Sequence, residues 1–119
     1  MKYIINDIPP SLNKFLGNSN NFNIYREKKI EWEWLTRLAI GINKPKIPYK
    51  KSIVTVTYYF KTKARHDPDN YAPKFLMDGL VKSGVLVDDS FDNVKLVIEG
   101  GYDKENPRTE IEIQEVKSD

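Results

Sequence analysis

Cysteine is absent from the 119 residues, so neither a disulfide framework nor a thiolate metal site is open to this chain. Histidine occurs once, as His66, which leaves side-chain oxygens as the main donors for any bound metal. Long apolar runs are also missing. The opening Met1-Lys2-Tyr3-Ile4-Ile5-Asn6 has none, and no stretch approaches the roughly 20 apolar residues that a membrane span requires. A cytoplasmic protein without a membrane partner is therefore expected, and a reducing compartment suits it.

A strong excess of one charge is lacking too. The formal net charge of +2 says little about partners, but its distribution says more. Lys50, Lys51, Lys61, Lys63, Arg65 and His66 gather ahead of an acidic stretch, while Glu110, Glu112 and Glu115 fall near the end of the chain. A basic surface beside carboxylates draws phosphates toward them. Ordinary solvated strand ends are the alternative reading of these lysines. A hydrophobic content of 39% and a charged content of 30% place the chain among soluble globular proteins, and its length allows one domain, residues 1–119, with one modest core.

Residues 3–8 read as a short strand, stopped by Pro9-Pro10. Residues 11–23 read as a loop rich in Asn, Ser and Gly. Over residues 24–42, Trp32, Leu35, Leu38, Ala39 and Ile42 recur at helical steps, and this stripe predicts the buried face of a helix. Lys28 and Glu31 continue the stripe, so the first turns are expected to leave the core and turn Tyr25, Arg26, Lys28 and Lys29 toward a partner. Ile30 and Trp34 lie round from it and call for a second burial surface, either a self-contact or a side pocket.

The β-branched and aromatic residues of 53–60 predict a strand. Residues 71–84 predict a helix with Pro73 in its first turn, Leu76, Met77, Leu80 and Gly84 along its buried side, and Gly84 at its stop. Residues 94–99 and 109–116 alternate as strands, and the segment 102–108 between them reads as an antiparallel hairpin loop. The expected architecture is a single α/β (α+β) domain in β-α-β-α-β-β order. Its four-stranded sheet is mixed or antiparallel, with two helices mainly on one face.

Around the second helix the acidic residues concentrate. Asp67 and Asp69 flank Pro68, whose fixed φ and effect on the preceding residue place the pair on stiff extended backbone, and Asp88-Asp89-Ser90 follows the helix. Clustered carboxylates repel unless an opposite charge such as Mg²⁺ is bound among them. Asp69 or Asn70 as a helix cap, and Asp88-Asp89 as turn residues, are the structural alternatives, and Asn70 is assigned mainly to capping. A calcium loop of the EF-hand type is excluded because Tyr71 occupies a ligand position. A phosphatase of the Asp-x-Asp type would carry an apolar strand straight into Asp67, whereas residues 61–66 intervene.

The residues Asp67-Pro68-Asp69-Asn70, Lys74, the run Asp78-Gly79-Leu80-Val81-Lys82-Ser83-Gly84-Val85 and the closing Asp88-Asp89-Ser90 together resemble the RusA-type Holliday junction resolvases, small endonucleases often carried by phages. Looser support comes from Pro9-Pro10-Ser11-Leu12-Asn13. The resemblance implies catalytic Mg²⁺ on Asp67, Asp69 and Asp89; beside it, Asp88 is the expected fourth or substitute ligand and Mn²⁺ the expected substitute ion. It also implies a lysine early in the helix, here Lys74, one residue further from Asp69 than the pattern leads one to expect.

The expected activity is then Mg²⁺-dependent cleavage of four-way or other branched DNA by a homodimer, whose two-fold symmetry matches that of the junction. One or two ions, standing about 3.5–4 Å apart when paired, would serve phosphodiester hydrolysis. Lys14, Lys28, Lys29, Lys63, Arg65, His66 and Lys82 are the expected DNA contacts, with general-base action a second reading of His66. A catalytically silent junction- or fork-binding protein of the same fold is the alternative function.

Overall fold

In the computed structural model the described residues are 1–12, 21–71 and 73–117, with the side chains of residues 21 and 22 left aside. The elements run β1 (Lys2–Ile5), α1 (Asn21–Ile40), β2 (Ser52–Phe60), a short 3-10 turn (Pro68–Tyr71), α2 (Lys74–Lys82), β3 (Val94–Tyr102) and β4 (Arg108–Glu115). They form one four-stranded mixed sheet in the order β1-β4-β2-β3. The α+β architecture, the element order and the two helices agree with the sequence.

The second strand is central because its alternation is the most complete. Ser52, Val54, Val56, Tyr58 and Phe60 are buried, and the intervening residues are half-buried. On that same face Val54 lies beside Ile113, and Val56 beside Ile111. The helices cover it with Trp32, Ile40, Phe75, Leu76 and Leu80, closing a single core. The opposite face is half-covered. There Tyr59 lies against Gly101, where a Cβ would come within 2.7 Å of its ring, and the Arg108 guanidinium sits 4.1 Å from the ring centre.

The expected hairpin between the last two strands is not formed. The third strand pairs with β2 in parallel and β4 pairs with β2 antiparallel, so β2 lies between them. The connection instead passes the end of β2, where the Asp103 amide donates to the Phe60 carbonyl at 2.9 Å. Arg108 braces this passage, bonding Asp103 and Glu110 at 2.7 Å each. The Arg108 hydrogen bond holds the Asp103 carboxyl below its ordinary range. Lys2, then Arg108, do the same for Glu110.

On the first helix the buried line is rotated from the expected stripe. Leu38 is 74% exposed and Ile42 93%, whereas Trp32, Thr36 and Ile40 are buried. Thr36 can occupy this line because its hydroxyl donates to the Trp32 carbonyl at 2.7 Å, which removes the cost of an unpaired buried polar group. The first turns do not leave the core either: Tyr25 packs on Phe75, ring centres 5.4 Å apart. Ile30 and Trp34 stay exposed. The helix also begins earlier than expected, at Asn21, and β1 stops at Ile5.

The segment expected as one helix over 71–84 divides into the 3-10 turn and α2. Pro73 is the residue before the first helical position, and no side chain caps the helix, so the capping role assigned to Asn70 is not realised. Gly84, at φ +84°, ends it as expected, with the Val85 amide donating to the Leu80 carbonyl at 3.0 Å. Gly79 meets α1 directly, since a Cβ there would lie 2.8 Å from the Thr36 Cβ. Gly79→Val should therefore push the helices apart and cost about 1–3 kcal/mol, seen as a lower urea midpoint. A midpoint at or above wild type would show that the helices do not depend on this approach.

Candidate active site

A parallel β2–β3 pair cannot be joined by a tight turn, so residues 61–93 must return across the molecule to restart at the same sheet end. That crossover carries Asp67, Asp69, Lys74, Asp88 and Asp89. An aromatic box fixes where it starts. His66 stacks on Phe60 with ring centres 3.8 Å apart and 1° between planes, and Tyr71 packs edge-on against both rings, 5.0 Å from Phe60 and 5.7 Å from His66. The Tyr71 ring also meets Tyr58 at 5.9 Å. The acidic pair is thus held between two aromatic anchors, His66 before it and Tyr71 after it.

Asp67 is half-buried and Asp69 exposed. The Asp67 carbonyl accepts the Asn70 amide at 3.0 Å, closing the 3-10 turn, and its carboxylate pairs with Arg65 at 3.0 Å. Together with Tyr58, His66, Ile98 and Glu99, Asp67 lines a cavity of about 60 Å³, space on the scale of ordered water rather than a nucleobase. The Tyr58 hydroxyl is buried without a hydrogen-bond partner among the described residues, and burial pushes its ionisation well up.

The doublet lies after α2. Asp88 accepts the Asp89 amide on Oδ1 at 2.8 Å, a turn-type bond, and Asp89 lines a groove with Met77, Phe91, Val94, Lys95 and Leu96. Asp67 and Asp89 therefore border consecutive stretches of the same edge strand, Ile98 to Gly100 for one and Val94 to Leu96 for the other. No three acidic or imidazole groups among the described residues converge closely enough to hold a metal ion.

The donor chemistry nevertheless suits Mg²⁺, which takes oxygen ligands, keeps several waters and is usually held by one or two carboxylates. Among the described residues the Asp69 and Asp89 carboxylates have no ion pair or hydrogen bond, so none of those residues compensates their charge.

Lys74 is the first residue of α2, and its amine lies 5.8 Å from the centre of the Tyr25 ring rather than paired with an aspartate. The end of the 3-10 turn and Pro73 lie between Asp69 and Lys74. The expected DNA contacts fall into separate groups. Lys29 pairs with Asp78 at 3.4 Å and Lys82 with Glu33 at 3.0 Å, both tying α1 to α2, while Lys28 pairs with Glu31 on its own helix at 3.0 Å. Lys63, 5.0 Å from the Tyr102 ring centre, and Arg65 flank the acidic turn. Lys14 lies outside the described residues.

The sequence alone does not single out Glu99 or the aromatic box. Glu99 reads as an ordinary outward strand residue, and only the parallel register brings it beside Asp67. None of the curated proteins compared with the chain matches it. A family model described as Endodeoxyribonuclease RusA matches residues 7–114, a span that includes the whole crossover. The chain belongs to the RusA endodeoxyribonuclease family.

Proposed function

We propose that this protein is a Mg²⁺-dependent endonuclease that resolves Holliday junctions or related branched DNA by paired phosphodiester hydrolysis in a homodimer. The observation that carries the reading is that Asp67 and Asp89 border the same edge strand, while the Asp69 and Asp89 carboxylates are uncompensated among the described residues, in a member of an endodeoxyribonuclease family. Carboxylates left unpaired near a basic approach repel phosphate, and a divalent cation converts that repulsion into binding.

Asp67, Asp69 and Asp89 would hold Mg²⁺, with Asp88 as fourth or replacement ligand and Mn²⁺ as a substitute. When bound, the ion supplies Lewis acidity and a more acidic water. The chain's own residues do the rest. Lys61, Lys63 and Arg65, all exposed on the approach to Asp67, draw the DNA backbone inward. Arg65, which pairs with Asp67, would also meet a phosphate of the incoming backbone. The Lys74 amine, on a flexible stem and free of any ion pair among the described residues, would swing from Tyr25 to offset charge growing on the phosphoryl oxygens.

The homodimer finds support in α1, where Ile30, Trp34 and Leu38 form an exposed apolar ridge at four-residue steps. A self-contact there would give that ridge the second burial surface it lacks. Two-fold symmetry would present equivalent sites to opposed strands of a junction.

Incubation with a labelled four-way junction, with and without Mg²⁺, tests the reading. Asp67→Asn and Asp69→Asn should each abolish cleavage while leaving junction binding intact or tighter, because a repulsive charge has gone. Nicking at the wild-type rate by either variant would remove it from the site. Lys74→Met keeps most of the stem and should fold normally, yet lower the single-turnover rate by about tenfold or more, equivalent to ~1.4 kcal/mol of barrier. An unchanged rate would leave Lys74 as a helix-surface residue packed beside Tyr25.

A further inference from the structure

One side chain near the doublet contributes nothing to the fold. Phe91 is fully exposed, although burying such a ring is ordinarily worth about 1.5–3 kcal/mol. It does not sit on a loose loop. The Asn93 and Val94 amides both donate to the Ser90 carbonyl at 3.0 Å, the Ser90 hydroxyl donates to the Asn93 side-chain oxygen at 2.5 Å, and the Asn93 amide group donates to the Lys50 carbonyl at 2.8 Å. Phe91 is therefore carried at the tip of a braced turn, two residues beyond Asp89. Both line the same groove.

The surroundings suit a nucleic acid better than an apolar protein surface. Lys95 is exposed in the same groove, Lys50 is exposed and its carbonyl holds the turn through Asn93, and neither lysine has an ion pair among the described residues. An aromatic ring on a rigid support, flanked by unpaired cations, is the arrangement that stacks on a base while the cations meet the phosphates. Apolar side chains inserted between base steps unstack them, and a branch point, whose stacking is already interrupted, is the cheapest place to do so. We infer that Phe91 stacks on an unpaired or splayed base at the branch point and so sets which phosphate reaches the Asp89 end of the site. This rests on the branched-DNA reading above and adds to it a residue that determines branch selectivity.

The test uses the full chain and a four-way junction carrying 2-aminopurine at the branch nucleotides, held uncut by Ca²⁺ in place of Mg²⁺. Wild type at saturation should raise the branch-point fluorescence, Phe91→Ala should lose most of that rise, and Phe91→Trp should restore it. With Mg²⁺, Phe91→Ala should lower single-turnover cleavage of the junction by about tenfold, the scale of one lost base–aromatic stack, and Phe91→Trp should recover it. Sedimentation should give the same oligomeric state for all three proteins. An unchanged fluorescence rise in Phe91→Ala overturns the inference, as does a loss of self-association, which would assign the ring to a contact between copies. A wild-type protein that neither binds nor cuts the junction removes the branched-DNA reading itself, and the inference falls with it. Normal wild-type cleavage with an indifferent Phe91→Ala removes the inference alone.

Discussion

The parallel pairing of β2 with β3 is the constraint on which the rest depends. Parallel neighbours cannot be joined by a two-residue turn, so the chain must leave the end of β2, cross the helix layer and begin again beside the start of β2. Every candidate catalytic residue lies on that crossover. Its two ends are controlled by different means: His66 and Tyr71 clamp the beginning through Phe60, and Ser90 and Asn93 brace the end through the Lys50 carbonyl. Between them, α2 is fixed by Gly79 against Thr36 and by Leu80 in the core. The run Asp78-Gly79-Leu80 thus has a physical meaning apart from any resemblance. The aspartate pairs with Lys29, the glycine permits the close approach, and the leucine fills the core.

Much of this was legible because it is local. The alternation of residues 53–60 and the break at Gly84 each depend on a few neighbouring side chains, and they appear at or near their expected places, whereas Asp67-Pro68-Asp69, expected on extended backbone, enters a 3-10 turn at Pro68. The supposed hairpin shows where local information ends. A short polar connection between two alternating strands looks the same whether the strands pair with each other or straddle a third, and here β2 lies between them. Nothing within residues 94–116 records that. The α1 stripe failed for a different reason: apolar character placed Leu38 and Ile42 inside, but a threonine that bonds back to Trp32, facing a glycine, packs more closely than leucine could.

The site divides in the same way. The aspartates were legible as a pattern of residue types, and the family match covers the segment that holds them. The aromatic box was not, because His66 follows a basic run and reads as a phosphate contact until its ring is found flat on Phe60. The lysines show how much a residue's type leaves open. Lys29 and Lys82 are each engaged with a carboxylate across the helix pair, while Lys95, in the groove with Asp89, is unpaired among the described residues.

A supercoiled plasmid that extrudes a cruciform tests the central claim most directly, since one substrate reports metal dependence, branch selectivity and pairing of the cuts. With Mg²⁺ the protein should convert it to a linear product cut symmetrically at the cruciform base, and a plasmid without the inverted repeat should remain supercoiled. Nicked circles without linear product, equal cutting of both plasmids, or cleavage indifferent to Mg²⁺ would contradict the account.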